Sequence, residues 1–346
     1  MALETLAAVS AALSQIFAPD FERQMNRLAV TAALVQAERG RGKNAAWDVE
    51  FSGATAGAVQ EGSDVPESEF TTDPAQPAFL NWAHYRQSFK ISETEVDAAA
   101  TSLGTPDVLL DMFQERVLNA HHLLASVINA DIFIGTGTNA AGIGNLVGLF
   151  GGPLEMTGVY AGIARAQFGE WSGNVLANGG VPRPLTTDLM AQMEQNIFAA
   201  CGEPPDLWIA SAGVLRKYES YFESIRRIVS DGRGPTSYGA GASNYFYKGA
   251  PVIRDRNCTT GHLVAVNTAY LRMQYLPHVN LGDALGYSER NIEGASGKIT
   301  TATQIPARIV LLAKTGDNLK GSVKTSIQLA LKRPNACGYI ADIAEV

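Results

Sequence analysis

The amino-acid sequence predicts an α+β fold, and three observations carry that expectation. One amphipathic helical pattern runs unbroken from Pro106 to Ile134, two strand-like runs frame a long polar insertion, and helices alternate with strands through the middle of the chain. At 346 residues, 46% apolar and 18% charged, the chain can bury one large core or two modest ones. A net charge of −7 disfavours nucleic-acid binding over the whole surface while leaving room for a local basic patch. Cys201, Cys258 and Cys337 share no short spacing, which argues against a zinc site or a disulfide framework and for a reducing compartment. The first residues include Glu4 and no basic leader, and no window has the apolar length of a membrane span, so neither a signal peptide nor a membrane segment is expected.

Taken in order, Leu3, Leu6, Leu13 and Phe17, then Phe21, Met25, Leu28 and Val35, recur at helical spacings on either side of Pro19. They predict two short amphipathic helices, an arm that must lie on something. Arg39, Arg41 and Lys43, interleaved with Gly40 and Gly42, break the helix and mark a hinge; a solvated hinge is preferred over a phosphate contact. Trp47, Val49 and Phe51 alternate with Asp48 and Glu50, and a second strand is expected from Phe79 to Ile91. Between them lies GATAGAVQEGSDVPESEFTTDPAQP, which is far longer than a hairpin loop and has little to bury. A two-stranded ribbon is marginal alone in water, so this one is expected to pack on another subunit.

Ser92 and Glu95 form a capping-box pattern that opens a short helix before Gly104. The long helix follows, with Thr105 as cap, Pro106 at the first position and Asp107 complementing the positive end of the dipole. Its apolar face is expected to hold Leu109, Met112, Phe113, Val117, Ala120, Leu124, Val127 and Ile128, over roughly 40 Å at about 1.5 Å per residue. Gly135 and Gly137 stop it. The run GTGTNAAGIGNLVGL closes a helix instead of opening one and lacks the Gly-Lys-Ser/Thr ending, so it is read as a terminator and not as a phosphate loop.

Thr186 or Thr187 caps a helix carrying Leu189, Met193, Ile197 and Phe198 that ends near Gly202. Asp206 to Ala210 reads as a buried strand, Ala212 to Ile225 as helix and DGRGPTSYGAGAS as loop. Val252 and Ile253, Leu263 to Val266 and Tyr270 to Tyr275 are strand candidates of a compact α/β unit. Ile305 to Lys314 and Val323 to Lys332 alternate around a TGDN turn signal, and Cys337 to Ile343 offers a last strand; these are expected to return beside the long helix.

Specific catalytic signals are missing: the chain has no GxSxG elbow, HExxH or CxxC. His121 and His122 are adjacent in a helix and point about 100° apart, which spoils them as a ligand pair. Cys258 near His262 is read as a small loop thiol in preference to a nucleophile, and Trp82, Trp171 and Trp208 as core or interface residues in preference to a pocket lining. No catalytic, cofactor-binding or metal residue is assigned, and no cofactor is expected.

The segments FIGTGTNAAGIGNLVGL, YAGIARAQFGEWSGNV, GEPPDLWIASAGVLRKYESYF, YKGAPVIRDRNCTTGHLVAVNTAYLRM and LALKRPNACGYI, in this order, resemble the major capsid proteins of tailed bacteriophages that share the Hong Kong 97 fold. The resemblance covers nearly the whole chain. It implies an N-terminal arm over residues 1–45, an extended β-hairpin loop over 46–91, a peripheral domain over 92–184 with its spine helix at 106–134, an axial domain over 185–300, and terminal strands over 301–346. It implies a virion protein, made and assembled in the bacterial host cytoplasm, whose copies form hexamers and pentamers of an icosahedral or prolate shell around double-stranded DNA. DNA would be touched weakly and a portal would sit at one vertex, with room for separate scaffolding and decoration proteins and with no membrane. Arg39, Arg41, Lys43, Trp47, Phe51, Glu61, Asp64, Glu67, Glu69, Trp82 and Arg86 are the expected subunit-interface residues.

Two departures narrow the expectation. There is no lysine from Asn44 to Phe89 and no glutamate between Ile309 and Ala344, so the covalent crosslink of some family members is not expected here. The arm is short, so no cleaved scaffold segment is expected. An encapsulin-type compartment that holds a cargo enzyme shares the fold and is the alternative; a soluble α/β enzyme using the middle section is the weakest of the three readings.

Overall fold

A 28-residue helix and a 14-residue strand frame the larger core. The computed structural model describes residues 30–51, 75–92, 94, 107–138, 142–223, 245–276, 308–315 and 318–345. Outside them lie most of the two-helix arm, the acidic insertion with Glu61, Asp64, Glu67 and Glu69, the helix expected after Ser92, the cap at Thr105 and Pro106, and the DGRGPTSYGAGAS loop.

Helix α1 (Val30–Leu34) leads into β1 (Gln36–Arg39), and β2 (Asn44–Glu50) pairs antiparallel with β3 (Ala75–Asn81) as a two-stranded ribbon. The single strand expected over Phe79–Ile91 is two strands. Trp82 separates β3 from β4 (Ala83–Ser92), and pairing switches there from the ribbon to the main sheet. The cause is packing: the Trp82 indole lies against Gly40, where any Cβ would run into the ring, and its Nε1 donates to the Gly42 carbonyl at 3.2 Å. The basic turn expected to be a hinge is therefore pinned.

Helix α2 (Asp107–Ile134) buries Val117, Ala120, Leu124, Ala125, Ile128, Ile132 and Phe133. Val127, expected on this face, is 51% exposed because it falls on the far edge of the apolar stripe, beside exposed Leu123. The side chains of Leu109, Met112 and Phe113 lie outside the described residues. After Gly135 the chain doubles back on the helix end: the Gly148 amide donates to the Gly135 carbonyl at 2.8 Å, and a Cβ on Gly151 would strike the same carbonyl. The glycines of this run serve close backbone approach.

A small hairpin, β5 (Val159–Tyr160) and β6 (Ile163–Ala164), precedes β7 (Asn174–Leu176). Helix α3 (Thr187–Cys201) is capped by Thr186, whose side chain accepts the Leu189 amide at 3.2 Å, and ends on Gly202 at φ 81°. It buries Met190, Met193 and Ile197, while Phe198, expected on that face, is 57% exposed. Strand β8 (Leu207–Ala210), helix α4 (Ala212–Glu223), β9 (Tyr245–Tyr247), β10 (Ala250–Arg254), β11 (Leu263–Val266) and β12 (Leu271–Tyr275) follow. The chain closes with β13 (Arg308–Thr315), β14 (Asn318–Leu331) and β15 (Gly338–Ile340).

Two sheets organise these strands. In the six-stranded sheet, ordered β7-β15-β11-β8-β10-β9, every residue of β8 and β11 is buried. Its two faces serve two cores: Trp208, Ala210, Leu263 and Ala265 pack toward α3 and α4, whereas Leu207, Ile209, Val264 and Val266 join the larger core around α2. Strands buried on both faces read as unbroken apolar runs, which is why LWIA and LVAV were visible in sequence. In the five-stranded sheet, β14 is shared: it pairs with β4 and β13 along its first part and with β12 over its last five residues, and β1 runs parallel to β12. The terminal strands thus divide, β13 and β14 joining the sheet beside α2 and β15 the six-stranded sheet.

Candidate functional site

The ribbon seats one of its faces on the larger core, and its anchoring follows from a few aromatic residues. Ala45 and Ala78 are fully buried and Leu80 nearly so, seating one side of the ribbon, while Phe79 on the alternate side is 47% exposed. The Phe79 amide donates to the Ala161 carbonyl at 3.0 Å, and its ring covers Gly162, which sits at φ +84° where a side chain would both strain the turn and clash.

At the far end of β2, Phe51 stacks on Phe168 at 4.1 Å and meets Trp171 edge-on at 5.9 Å; Trp171 stacks on Tyr160 at 5.6 Å, and Trp47 leans on Tyr160 at 6.4 Å. Arg165, 4% exposed, holds this clasp together. Its Nε donates to the Trp171 carbonyl at 3.0 Å, Nη1 to Thr157 at 3.0 Å, and Nη2 to Pro153 at 3.2 Å and to the Gly152 carbonyl. Burial lowers the Arg165 pKa and raises that of Tyr160, whose hydroxyl accepts the Leu331 amide at 2.9 Å. The segment YAGIARAQFGEW is thus a clamp for the ribbon.

Two further polar anchors fix the ribbon root and the arm. Gln328, 1% exposed in β14, donates to the Asn81 carbonyl at 2.7 Å and accepts the Val147 amide at 2.9 Å, tying the β3–β4 junction to the loop after α2. Asp255 accepts hydrogen bonds from Thr31 and Asn129, joining α1, α2 and the end of β10. Neither anchor, nor Arg165, was singled out from sequence. The available signal was a lone polar residue within an apolar pattern, Asn129 beside Ile128 and Gln328 within SIQLAL.

Phe51 and Trp82, expected at an interface, are buried within their own chain, and Trp47 is half-buried against Tyr160. Arg39, Arg41 and Lys43 are exposed around the β1–β2 turn, and Arg86 is exposed on β4. Trp82 ties the turn to the junction of β3 and β4; the four acidic residues lie outside the described residues.

The features that resemble chemistry resolve into packing. Burial pushes the Cys258 thiol far up, aided by Asp255 and Glu345, which disfavours a thiolate. The His262 ring stacks on Tyr339 at 5.6 Å and meets Phe150 edge-on at 5.1 Å, with Nδ1 2.8 Å from the Thr260 carbonyl. Trp171 and Trp208 are core residues. Among the described residues no group of three or more His, Cys, Asp or Glu side chains could hold a metal ion, and no helix is long and apolar enough to cross a membrane.

The family model of the SU10 major capsid protein matches residues 51–344. No curated protein matches the chain in sequence. Among solved structures, the cyanophage A-1(L) capsid asymmetric unit is 18% identical, with 93% of each chain covered and a TM-score of 0.66. The capsid of Myoviridae phage XM1 is 10% identical over 91% of this chain and 92% of that one, with a TM-score of 0.53. The holo-SrpI encapsulin complex from Synechococcus elongatus PCC 7942 is also 10% identical, over 90% and 86%, with a TM-score of 0.53. At these identities the structures share the fold.

Proposed function

Because the chain belongs to the SU10 major capsid protein family, we propose that its copies close as hexamers and pentamers into an icosahedral or prolate shell around double-stranded DNA. It is a structural protein of a tailed-phage capsid and not an enzyme. The observation that carries the reading is the family match across nearly all of the chain after the arm.

The geometry supports it. A two-stranded ribbon is marginal alone, and this one is clasped at one end by Arg165 and the aromatic cluster while Phe79 remains exposed along its length. Such a ribbon gains most when a neighbour covers it, and closed symmetry repeats that contact for every copy. The finer assignments rest on the same reading: residues 1–45 as arm, 46–91 as extended loop, 92–184 as peripheral domain with α2 as spine, 185–300 as axial domain and 301–346 as returning strands. The interface residues reduce to Arg39, Arg41, Lys43, Arg86 and Glu61, Asp64, Glu67 and Glu69, with Trp47 at the margin. Weak contacts to packaged DNA, a portal vertex, separate scaffolding and decoration proteins, and assembly in the host cytoplasm belong to the same proposal.

Negative-stain imaging of the expressed protein, combined with nuclease protection, tests it. Shells or rings of five or six are expected, with protected DNA in phage-producing cells. Shells that enclose protein cargo and no nucleic acid select the encapsulin-type alternative, and a uniform small oligomer under every condition overturns the assembly reading. Replacing residues 52–74 by a short Gly-Asn linker is expected to leave a folded subunit that forms no shells.

A further inference from the structure

Helix α2 is apolar on two sides. One side is spent on the core, but Leu123, Val127 and Ile134 are exposed at 57%, 51% and 58%, and Ala130 is half-buried. Steps of four, three and four residues place these side chains within about 60° of one another around the axis. They form a stripe roughly 16 Å long at about 1.5 Å per residue. From Val117 to Ile134 the only Asp, Glu, Lys or Arg is Asp131, and its carboxylate is turned to β4, where it accepts the Tyr85 hydroxyl at 2.6 Å. A helix apolar on both sides belongs between two partners. Among the described residues, the core supplies one.

The spacing specifies the other. Alternating steps of four and three are those of a helix-pairing seam, with Leu123 and Ala130 at d and Val127 and Ile134 at a. The seam is also its own complement. A second copy laid antiparallel over the midpoint between Val127 and Ala130 sets Leu123 against Ile134 and Val127 against Ala130, each contact occurring twice, as a twofold interface requires. The small Ala130 then faces a branched side chain, and the helices can close to the usual separation of about 8–10 Å. A parallel copy would leave a gap between two alanines and bring Arg116, exposed one heptad before Leu123, against itself. The N-terminal arm is the competing occupant. Where it enters the described residues it is fixed elsewhere: the Ala32 amide donates to Asn129 at 3.3 Å, and Asn129 lies roughly 130° round the helix from the stripe, at about 100° per residue.

We propose that α2 pairs with α2 of a second copy, antiparallel along Leu123, Val127, Ala130 and Ile134. This rests on the shell-subunit reading and names a twofold contact within it. Four residues a side is far below the roughly 20–30 of a standard interface. The pair therefore forms only where a closed assembly repeats it for every copy.

The test uses full-length chains with charges at the two ends of the seam. Leu123→Glu with Ile134→Glu sets carboxylate against carboxylate, and the yield of shells is expected to fall about tenfold. Leu123→Glu with Ile134→Lys sets opposite charges together in the same register and is expected to recover to within about twofold of wild type. The reversed pair, Leu123→Lys with Ile134→Glu, is expected to recover equally, which excludes the helix dipole as the cause. Both sites are exposed, so the Tm of the unassembled subunit should stay within about 2 °C of wild type. If the like-charge chain does not fold, Leu123→Lys with Ile134→Lys carries the same readout. Normal shells from the like-charge chain overturn the proposal. A loss that neither opposite-charge chain restores also overturns it and selects the arm or another protein as occupant. Wild type that stays a single subunit under every condition overturns both readings. Small wild-type oligomers that like charges dissolve and opposite charges restore overturn the shell alone.

Discussion

Asn129 Nδ2 lies 3.0 Å from both carboxylate oxygens of Asp255, a residue 126 positions later in the chain. Both are buried, at 0% and 1% exposure. The Thr31 hydroxyl donates to the same carboxylate at 2.6 Å and the Asn257 amide at 2.8 Å, while Asn129 Oδ1 accepts the Ala32 amide at 3.3 Å. A buried carboxylate held by neutral donors staples the arm, the long helix and the six-stranded sheet at one point. Removing it orphans those donors.

Asp255→Ala is accordingly expected to lower unfolding stability by about 3 kcal/mol, read as a fall in the urea midpoint at unchanged m-value. Asn129→Leu, which leaves the carboxylate short of donors, is expected to cost a similar amount. Variants within about 0.5 kcal/mol of wild type would falsify the staple.

Arg165→Lys is expected to loosen the ribbon clamp, at a cost of about 2–4 kcal/mol. A lysine has one compact donor head and cannot serve carbonyls on four sides as the planar guanidinium does. Limited proteolysis should then cut between Gly152 and Trp171 at concentrations of protease that spare the wild type. Unchanged cleavage would show that the aromatic rings alone hold the clamp.

Glycine substitutions separate close approach from open loop. Gly151→Ala drives a methyl into the Gly135 carbonyl and is expected to prevent folding or cost several kcal/mol. Gly169→Ala, with open space and ordinary φ, is expected to stay within about 0.5 kcal/mol. Equal soluble yields and midpoints for the two would contradict the doubled-back loop.

The two faces of α2 give another contrast. Leu124→Asp places an unpaired charge at a site 5% exposed and is expected to abolish soluble, folded protein. Val127→Asp, at a site 51% exposed, is expected to leave subunit stability within about 0.5 kcal/mol. Thermal melts of the two variants check it; the reverse ranking would mean the helix is rotated.

Asp342 provides a pH signature. Its carboxylate accepts the Asn178 amide at 2.7 Å and the Gly180 amide at 3.0 Å, which hold its pKa below the ordinary 3.8, with smaller help from His262 and Arg183. A depressed folded pKa stabilises the fold above the ordinary value, and that contribution is lost as pH falls through the lower folded value. Asp342→Asn should therefore flatten the stability loss below about pH 4 and change its slope little above pH 5. Parallel slopes for mutant and wild type down to pH 2 would refute the linkage.

Legibility from sequence followed how local the cause was. The Thr186 cap, the Gly202 stop, the α2 span and the apolar runs of β8 and β11 rest on residues within a turn or two of one another, and they appear where expected. Val127 and Phe198 were misassigned because periodicity gives the direction of an apolar stripe but not its width, which the neighbouring elements set. Strands β1, β7 and β9 carry weak strand signals; they are strands because β12, β15 and β10 offer them an edge.

The sequence by itself determined the α+β class, the long helix, the ribbon with its cation-free insertion, and the family resemblance, since each is written in composition, spacing or order along the chain. Only the tertiary structure decided the rest. It turned one expected strand into two at Trp82, spent Phe51 and Trp82 on the chain's own core, met the buried needs of Asp255, Arg165 and Gln328 with partners up to 247 residues distant, and set Arg86 and Lys90 against Lys324 and Lys320. Register and burial arise between segments far apart in the chain, so no local pattern encodes them.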